Sequence, residues 1–460
     1  MSLTAYISQR VVLPEGVRPA AILVDDDSGR IVRIAEADAP PAAERLCNIG
    51  EHAILPGLID PHVHINEPGR TEWEGFATAT RAAAAGGITT VIDMPLNCLP
   101  PTTTVAGLEA KRHAAACGAV TAKAQCRIDW RAWGGCENGN QAHLIPLAEA
   151  GVPGYKCFLV YPGCDGLGLI DEANLRRAMP LIAQTGLPLL VHAELPGPLE
   201  AVAAALALAV PACDWRDYSV YLASRPDEAE LAAIALMIDL CREFGARVHI
   251  VHLATALALP MLRDARAEGL PITVETCPHY LHFAAEDIPG AATHFKCAPP
   301  IRSEPNRQQL WDAVLDGTID LIASDHSPCP QAMKTGNPTG SFQTSWGGIA
   351  SLSLGPSILW TEGRLTLSDL ARLMSSAPAK LAGVAHSKGS IAPGFDADLA
   401  IFAPEESFTV APENLHFRHA ISPYLGETLT GVVKQTILRG HTIYDHGRFP
   451  GEPIGREVRP

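Results

Sequence analysis

The chain has 460 residues, 47% hydrophobic and 18% charged, the composition of a water-soluble protein with a large core. Its formal net charge of −15 argues against nucleic acid or an anionic membrane surface as a partner. The length fits about two or three domains, or one large barrel with an elaboration. The 12 cysteines include no C-x-x-C pair, so neither a zinc ribbon nor a disulfide framework is expected. Buried thiols in a reducing compartment, and a cytoplasmic protein, are the expectation. No signal segment is visible. The longest apolar run, 201–213, is too short to span a bilayer and contains Pro211; it reads as a buried, Ala-rich helix.

In chain order, residues 1–55 look β-rich, with short strands at 21–24 and 30–35 around the turn 25–29. The C-terminal stretch resembles this, with strands at 398–402, 430–433 and 435–440 and a turn into another at 440–444. The two ends are expected to pair into one small β-sandwich domain, 1–55 plus 386–460, with the catalytic domain, 56–385, inserted between them. Inside that insert, apolar strands alternate with Ala/Leu-rich helices. Strands are expected at 54–64, 87–94, 122–128, 154–160, 187–192, 247–253, 272–276 and 320–324. Helices are expected at 73–85, 104–116, 142–150, 172–185, 227–244, 257–268 and 307–315. Such alternation predicts a parallel sheet, and eight units predict an α/β protein of the (β/α)₈ type. An open doubly wound sheet is the alternative; no phosphate-cradling glycine fingerprint follows the first strand, which weakens it.

In a barrel of this type, chemistry sits at the C-terminal strand ends. The first strand ends in His62 and His64, two residues apart and hence on one face. Alone, the pair could equally be hydrogen-bonded histidines at a strand end. The fourth strand carries Lys156 within an apolar run, the fifth ends in His192, the sixth holds His249 and His252, and the eighth ends in Asp325 followed by His326. His249 and His252 are three apart and should point to opposite faces. His252, nearer the strand end, is expected to line the barrel and His249 to face the helical layer. The same parity separates Asp325 from His326, which is left as a supporting or substrate-contacting residue. Four imidazoles and a carboxylate on one rim suit zinc or a similar divalent ion. Lys156 has two readings. Its head could reach the rim and pair with Glu194 or another acid. Alternatively, burial beside cations would favour a neutral amine, which reacts with CO₂ to give a carbamate able to bridge two metals.

Several long stretches carry a family likeness: 55–75 around His62 and His64, 84–97 with 100–102, 154–158 around Lys156, 275–280, 296–302, 324–329, 345–350 and 388–398. On these the chain resembles the cyclic amidohydrolases of the amidohydrolase superfamily, and among them the allantoinases. The resemblance implies that His62, His64, N6-carboxylated Lys156, His192, His252 and Asp325 bind two divalent metal ions per chain. Zinc is the first choice, with cobalt, manganese or nickel as alternatives. It implies hydrolysis of allantoin to allantoate in purine catabolism, with Asp325 as general base, and by analogy a homotetramer. Ala254 departs from the serine often found there, at a position that is not a ligand. Dihydroorotases usually carry an arginine where this chain has Asn66; an amide cannot neutralise a buried carboxylate as guanidinium does, which favours an uncharged cyclic ureide substrate. Asn66 and Asn97 are candidate ureide contacts, or turn residues bonding their own backbone. The competing expectations are another cyclic amidase, acting on hydantoins, dihydropyrimidines or dihydroorotate, and a metal-free scaffold on the same fold.

Overall fold

The computed structural model describes residues 2–40, 42–116, 125–209 and 213–459. The N-terminal strands are β1 (Leu3–Leu13), β2 (Gly16–Asp25), β3 (Arg30–Ala35) and β4 (Arg45–Pro56). The barrel strands follow: β5 (Leu58–Val63), β6 (Ile88–Asp93), β7 (Asp129–Ala132), β8 (Gly134–Gly135), β9 (Tyr155–Phe158), β10 (Leu189–His192), β11 (Val248–Ile250), β12 (Ile272–Thr276) and β13 (Leu321–Ile322). The C-terminal strands are β14 (Leu399–Thr409), β15 (Thr428–Leu438) and β16 (His441–Asp445).

The ends of the chain do share one sheet, ordered β16-β15-β14-β4-β1-β2-β3. Strand β14 pairs antiparallel with β4, from Leu399 opposite Pro56 to Phe402 opposite Ala53. The inserted strands run parallel, as β5-β6-β7 and β8 through β13. β7 and β8 are two halves of one strand interrupted at Trp133, so eight strand positions result. A parallel bridge from Val63 to His326 joins the last strand's end back to the first. The architecture is the (β/α)₈ barrel with a β domain built from both ends.

Local sequence explains the placement of these elements. Strands β5, β6 and β9 are buried at every residue, as expected for strands covered on both faces. Helix Glu172–Thr185 starts where the Asp171 carboxylate accepts from Asn174 N and stops at Gly186, whose φ of 68° suits glycine. Helix Asp227–Phe244 has three acids in its first turn and ends at Gly245 in the same conformation.

Three expectations are corrected. The run 54–64 is two strands in two sheets, divided at Gly57. A side chain at Gly57 would place Cβ 2.8 Å from the Asp398 Cβ, so only glycine lets the chain cross between sheets there. The expected strand 122–128 lies partly outside the described residues; the strand that follows begins at Asp129. The run from Ala201 does form part of a helix, Pro196–Ala207, but none of that helix is fully buried. Leu208 just beyond it is 82% exposed. No helix among the described residues is long and apolar enough to cross a membrane.

Candidate active site

The C-terminal strand ends open into a cavity of about 810 Å³, lined by His62, His64, His192, His252, Asp325 and Asn97 among others. Lys156 lies beneath it, wholly buried. The side chains form two groups. In the first, His62 Nε2 and His64 Nε2 each lie 3.2 Å from Asp325 Oδ1. In the second, His192 Nδ1 lies 3.0 Å from His252 Nε2. The Lys156 ammonium bears electrostatically on both: it disfavours protonation of His192 and His252, while Asp325 favours its own charged form.

Carboxylates hold the rear nitrogens of His62 and His192. Glu275 Oε1 sits 2.5 Å from His62 Nδ1, and its Oε2 3.0 Å from His249 Nε2. Glu194 Oε2 takes His192 Nε2 at 2.7 Å, and Arg225 Nε donates to Glu194 Oε1 at 3.0 Å. A carboxylate behind an imidazole fixes its tautomer and raises its basicity as a ligand. Burial raises the Glu275 carboxyl, but His62 and His249 outweigh that and bring it down to about 2. Burial opposes Glu194 ionisation too, and Arg225 and His192 overcome it, holding that carboxyl well below its usual range. Asp325 is likewise buried yet held far down by His62, His64 and His252. These carboxylates are anionic at neutral pH.

The donor set fits divalent metal. His62 Nε2 and Lys156 Nζ are buried polar atoms without a hydrogen-bond partner. Buried polar groups are rarely left so. The His62, His64 and Asp325 donor atoms lie within 4.8 Å of one another, as the ligands of one ion would. Burial pushes the Lys156 amine down to about 8, toward the neutral form that can take up CO₂. A second acid cluster, Asp129, Asp396 and Asp398, is a different case. Lys388 Nζ stands at 2.9, 3.2 and 2.6 Å from the three carboxylates, so a cation already fills it.

The barrel thus brings together all six sequence-predicted ligands. It corrects the reading of His249. That ring points inward, bonded to Thr273 Oγ1 and Glu275, in register with Leu190 and Lys156. The parity rule failed because the chain leaves regular strand geometry after Ile250: His252 has φ +40° and Asp325 has φ +46°. His326 turns away and accepts from Ser351 N and Leu352 N. Asn97 lines the cavity with its amide 3.3 Å from His64 Nδ1. Asn66 is not on the cavity wall: it is buried, has φ +65°, and donates to Pro328 O. Its place is that of a turn residue. Glu275, Arg225 and the inward His249 are the supporting residues that strand reading missed. The motif 275–280 carried Glu275 without revealing its partner.

The amidohydrolase family profile matches residues 53–443, which span both ligand groups and every barrel strand. The chain belongs to the amidohydrolase family. Within this amidohydrolase's relatives, the allantoinase of Streptomyces avermitilis is 48% identical over 98% of this chain and 97% of its own. That of Saccharomyces cerevisiae is 42% identical, covering 100% and 99%. Among solved structures, the L-hydantoinase (dihydropyrimidinase) of Arthrobacter aurescens superposes with a TM-score of 0.91 at 29% identity, covering 99% of each chain. The amidohydrolase is a metal-dependent hydrolase of cyclic amides.

Proposed function

We propose that this amidohydrolase opens the hydantoin ring of allantoin to give allantoate, a step of purine catabolism. The observation that carries the reading is the pair of ligand groups, both within electrostatic reach of an unpartnered, buried Lys156. Similarity to allantoinases along nearly the whole chain supports the choice of ring.

His62, His64 and Asp325 would hold one ion, His192 and His252 the other, and Lys156 as its N6-carbamate would join them. Zinc is our first choice for both. Bound ions of this kind acidify water and polarise a carbonyl. Asp325, whose carboxylate faces His62 and His64, accepts the proton of the attacking water. A C–O bond forms at the ring carbonyl carbon, the ring C–N bond breaks, and Asp325 returns the proton to the leaving nitrogen. The carbonyl carbon ends as a carboxylic acid, which gives up the second water proton to solvent and becomes a carboxylate. Asn97, on the cavity wall, serves as an amide contact to the ureide, while Asn66 acts only through the loop it shapes. A homotetramer and a cytoplasmic location go with this reading.

The test is a side-by-side assay of metal-analysed protein on allantoin, dihydroorotate, hydantoin and dihydrouracil. The reading expects allantoin to have the highest kcat/KM. Preference for another ring would retain the site and overturn the substrate; inactivity on all four with two ions bound would overturn both.

A further inference from the structure

The motif 296–302 takes no part in holding metal, yet its first residue stands on the cavity wall. Lys296 follows the short turn Thr293–Phe295. Its Nζ donates to Ser345 O at 2.6 Å and Gln343 O at 3.2 Å, and lies 5.2 Å from the Tyr221 ring centroid. An ammonium has three donors, so one remains. Behind it Lys334, only 3% exposed, donates to the carbonyls of Lys296, Trp346 and Gly348 at 2.6, 2.8 and 2.5 Å. Among the described residues, neither ammonium has a carboxylate partner. The acids lining the cavity are already engaged, Asp165 by Arg70 and Asp325 by His62 and His64, and Glu194 behind its wall is held by Arg225 and His192.

Two neighbouring cations, one buried and one half-buried, supported only by carbonyl dipoles, make a costly arrangement. It is also unlike the chain as a whole, whose net charge is −15. Burial, Lys334 and Arg225 together push the Lys296 amine down to about 7. An anion arriving at this wall would relieve that. Ring hydrolysis makes one, because a neutral cyclic amide becomes a free carboxylate inside the same cavity.

We propose that Lys296 forms a carboxylate-binding subsite on the cavity wall and holds the acid product of ring opening. The identity of that acid as allantoate rests on the substrate reading above. The competing role for Lys296 is a plain clamp on the segment 343–345, the role Lys334 has for 346–348.

The holoenzyme variants Lys296→Met and Lys296→Arg, with Lys334→Met as a clamp-only reference, separate these roles. The measurements are KM for neutral allantoin and the inhibition constant of allantoate. The subsite predicts that Lys296→Met weakens allantoate inhibition by about tenfold or more, the scale of a lost charge-assisted hydrogen bond, while KM moves by less than about threefold. Lys296→Arg retains most of the inhibition. Unchanged inhibition overturns the proposal, as does a parallel loss of both affinities matching Lys334→Met. If the wild type does not turn over allantoin, the substrate reading fails, and calorimetric titration with hydantoate still tests the subsite. Binding lost in Lys296→Met supports the subsite there; equal binding in both proteins overturns it.

Discussion

His62 presents a lone pair to the cavity because Glu275 occupies its other nitrogen. Glu275 in turn is braced by His249, and His249 by Thr273 Oγ1. This chain of contacts runs across three strands, so the orientation of His62 depends on residues outside the proposed ligand set. Replacing Glu275 by Gln keeps the shape but removes the charge, and an amide could present its NH₂ to the ring instead. We expect metal affinity to fall by about 10- to 100-fold, measured by chelator competition. Unchanged affinity would show that Glu275 only fills space. At this scale the sequence was readable where a side chain ends a strand, as for His192, or repeats at a spacing of two, as for His62 and His64. It was not readable for Glu275, Glu194 and Arg225, whose roles depend on strand register and loop packing. Nor was it for His249, because period-two reasoning stops where His252 takes a positive φ.

Between elements, His282 makes a joint whose strength depends on pH. It ends the helix Pro278–His282, directly after β12. Its Nδ1 meets Glu362 Oε1 at 2.7 Å and its Nε2 meets Glu427 Oε2 at 3.1 Å. Glu362 follows the helix Gly355–Thr361, and Glu427 immediately precedes β15 of the terminal sheet. Burial alone would lower the His282 pKa, but the two glutamates outweigh it and raise it to about 9. A folded-state pKa above the unfolded value stabilises fully below the unfolded pKa of about 6.5, and that contribution fades as pH rises through 9. The difference corresponds to about 3 kcal/mol. Thermal unfolding of the wild type and His282→Gln should therefore show a Tm gap that is large at pH 6 and shrinks toward pH 10. A gap independent of pH would contradict this. Elements with strong local signals were readable: Glu172–Thr185 and Asp227–Phe244 were both expected with those bounds, since acids and glycines mark their ends. The helix Pro196–Ala207 was misjudged because an apolar composition does not say which surface covers it.

At the scale of the molecule, the barrel brings together the six proposed ligand side chains from β5, β9 and β10 and from the segments just after β11 and β13, far apart in sequence and adjacent in space. The terminal sheet is fastened to this barrel by a buried charge cluster. Asp129 of β7 meets Lys388 Nζ at 2.9 Å and is also engaged by Arg439, whose backbone N donates to Asp398 Oδ1 at 2.9 Å. The alternation of strand and helix made the barrel legible, and the likeness of the two β-rich ends made their shared sheet legible. The crossing at Gly57 was not, because an apolar strand leaving one sheet for another keeps the same composition.

In the proposed centre, Lys156 joins the two metal-binding groups. The most direct test is the metal content per chain of the wild type and of Lys156→Met, both prepared with bicarbonate and excess zinc and checked for native circular dichroism. We predict two equivalents in the wild type and one or fewer in the variant. Two equivalents in both would show that Lys156 does not join the ions, and would contradict the central claim.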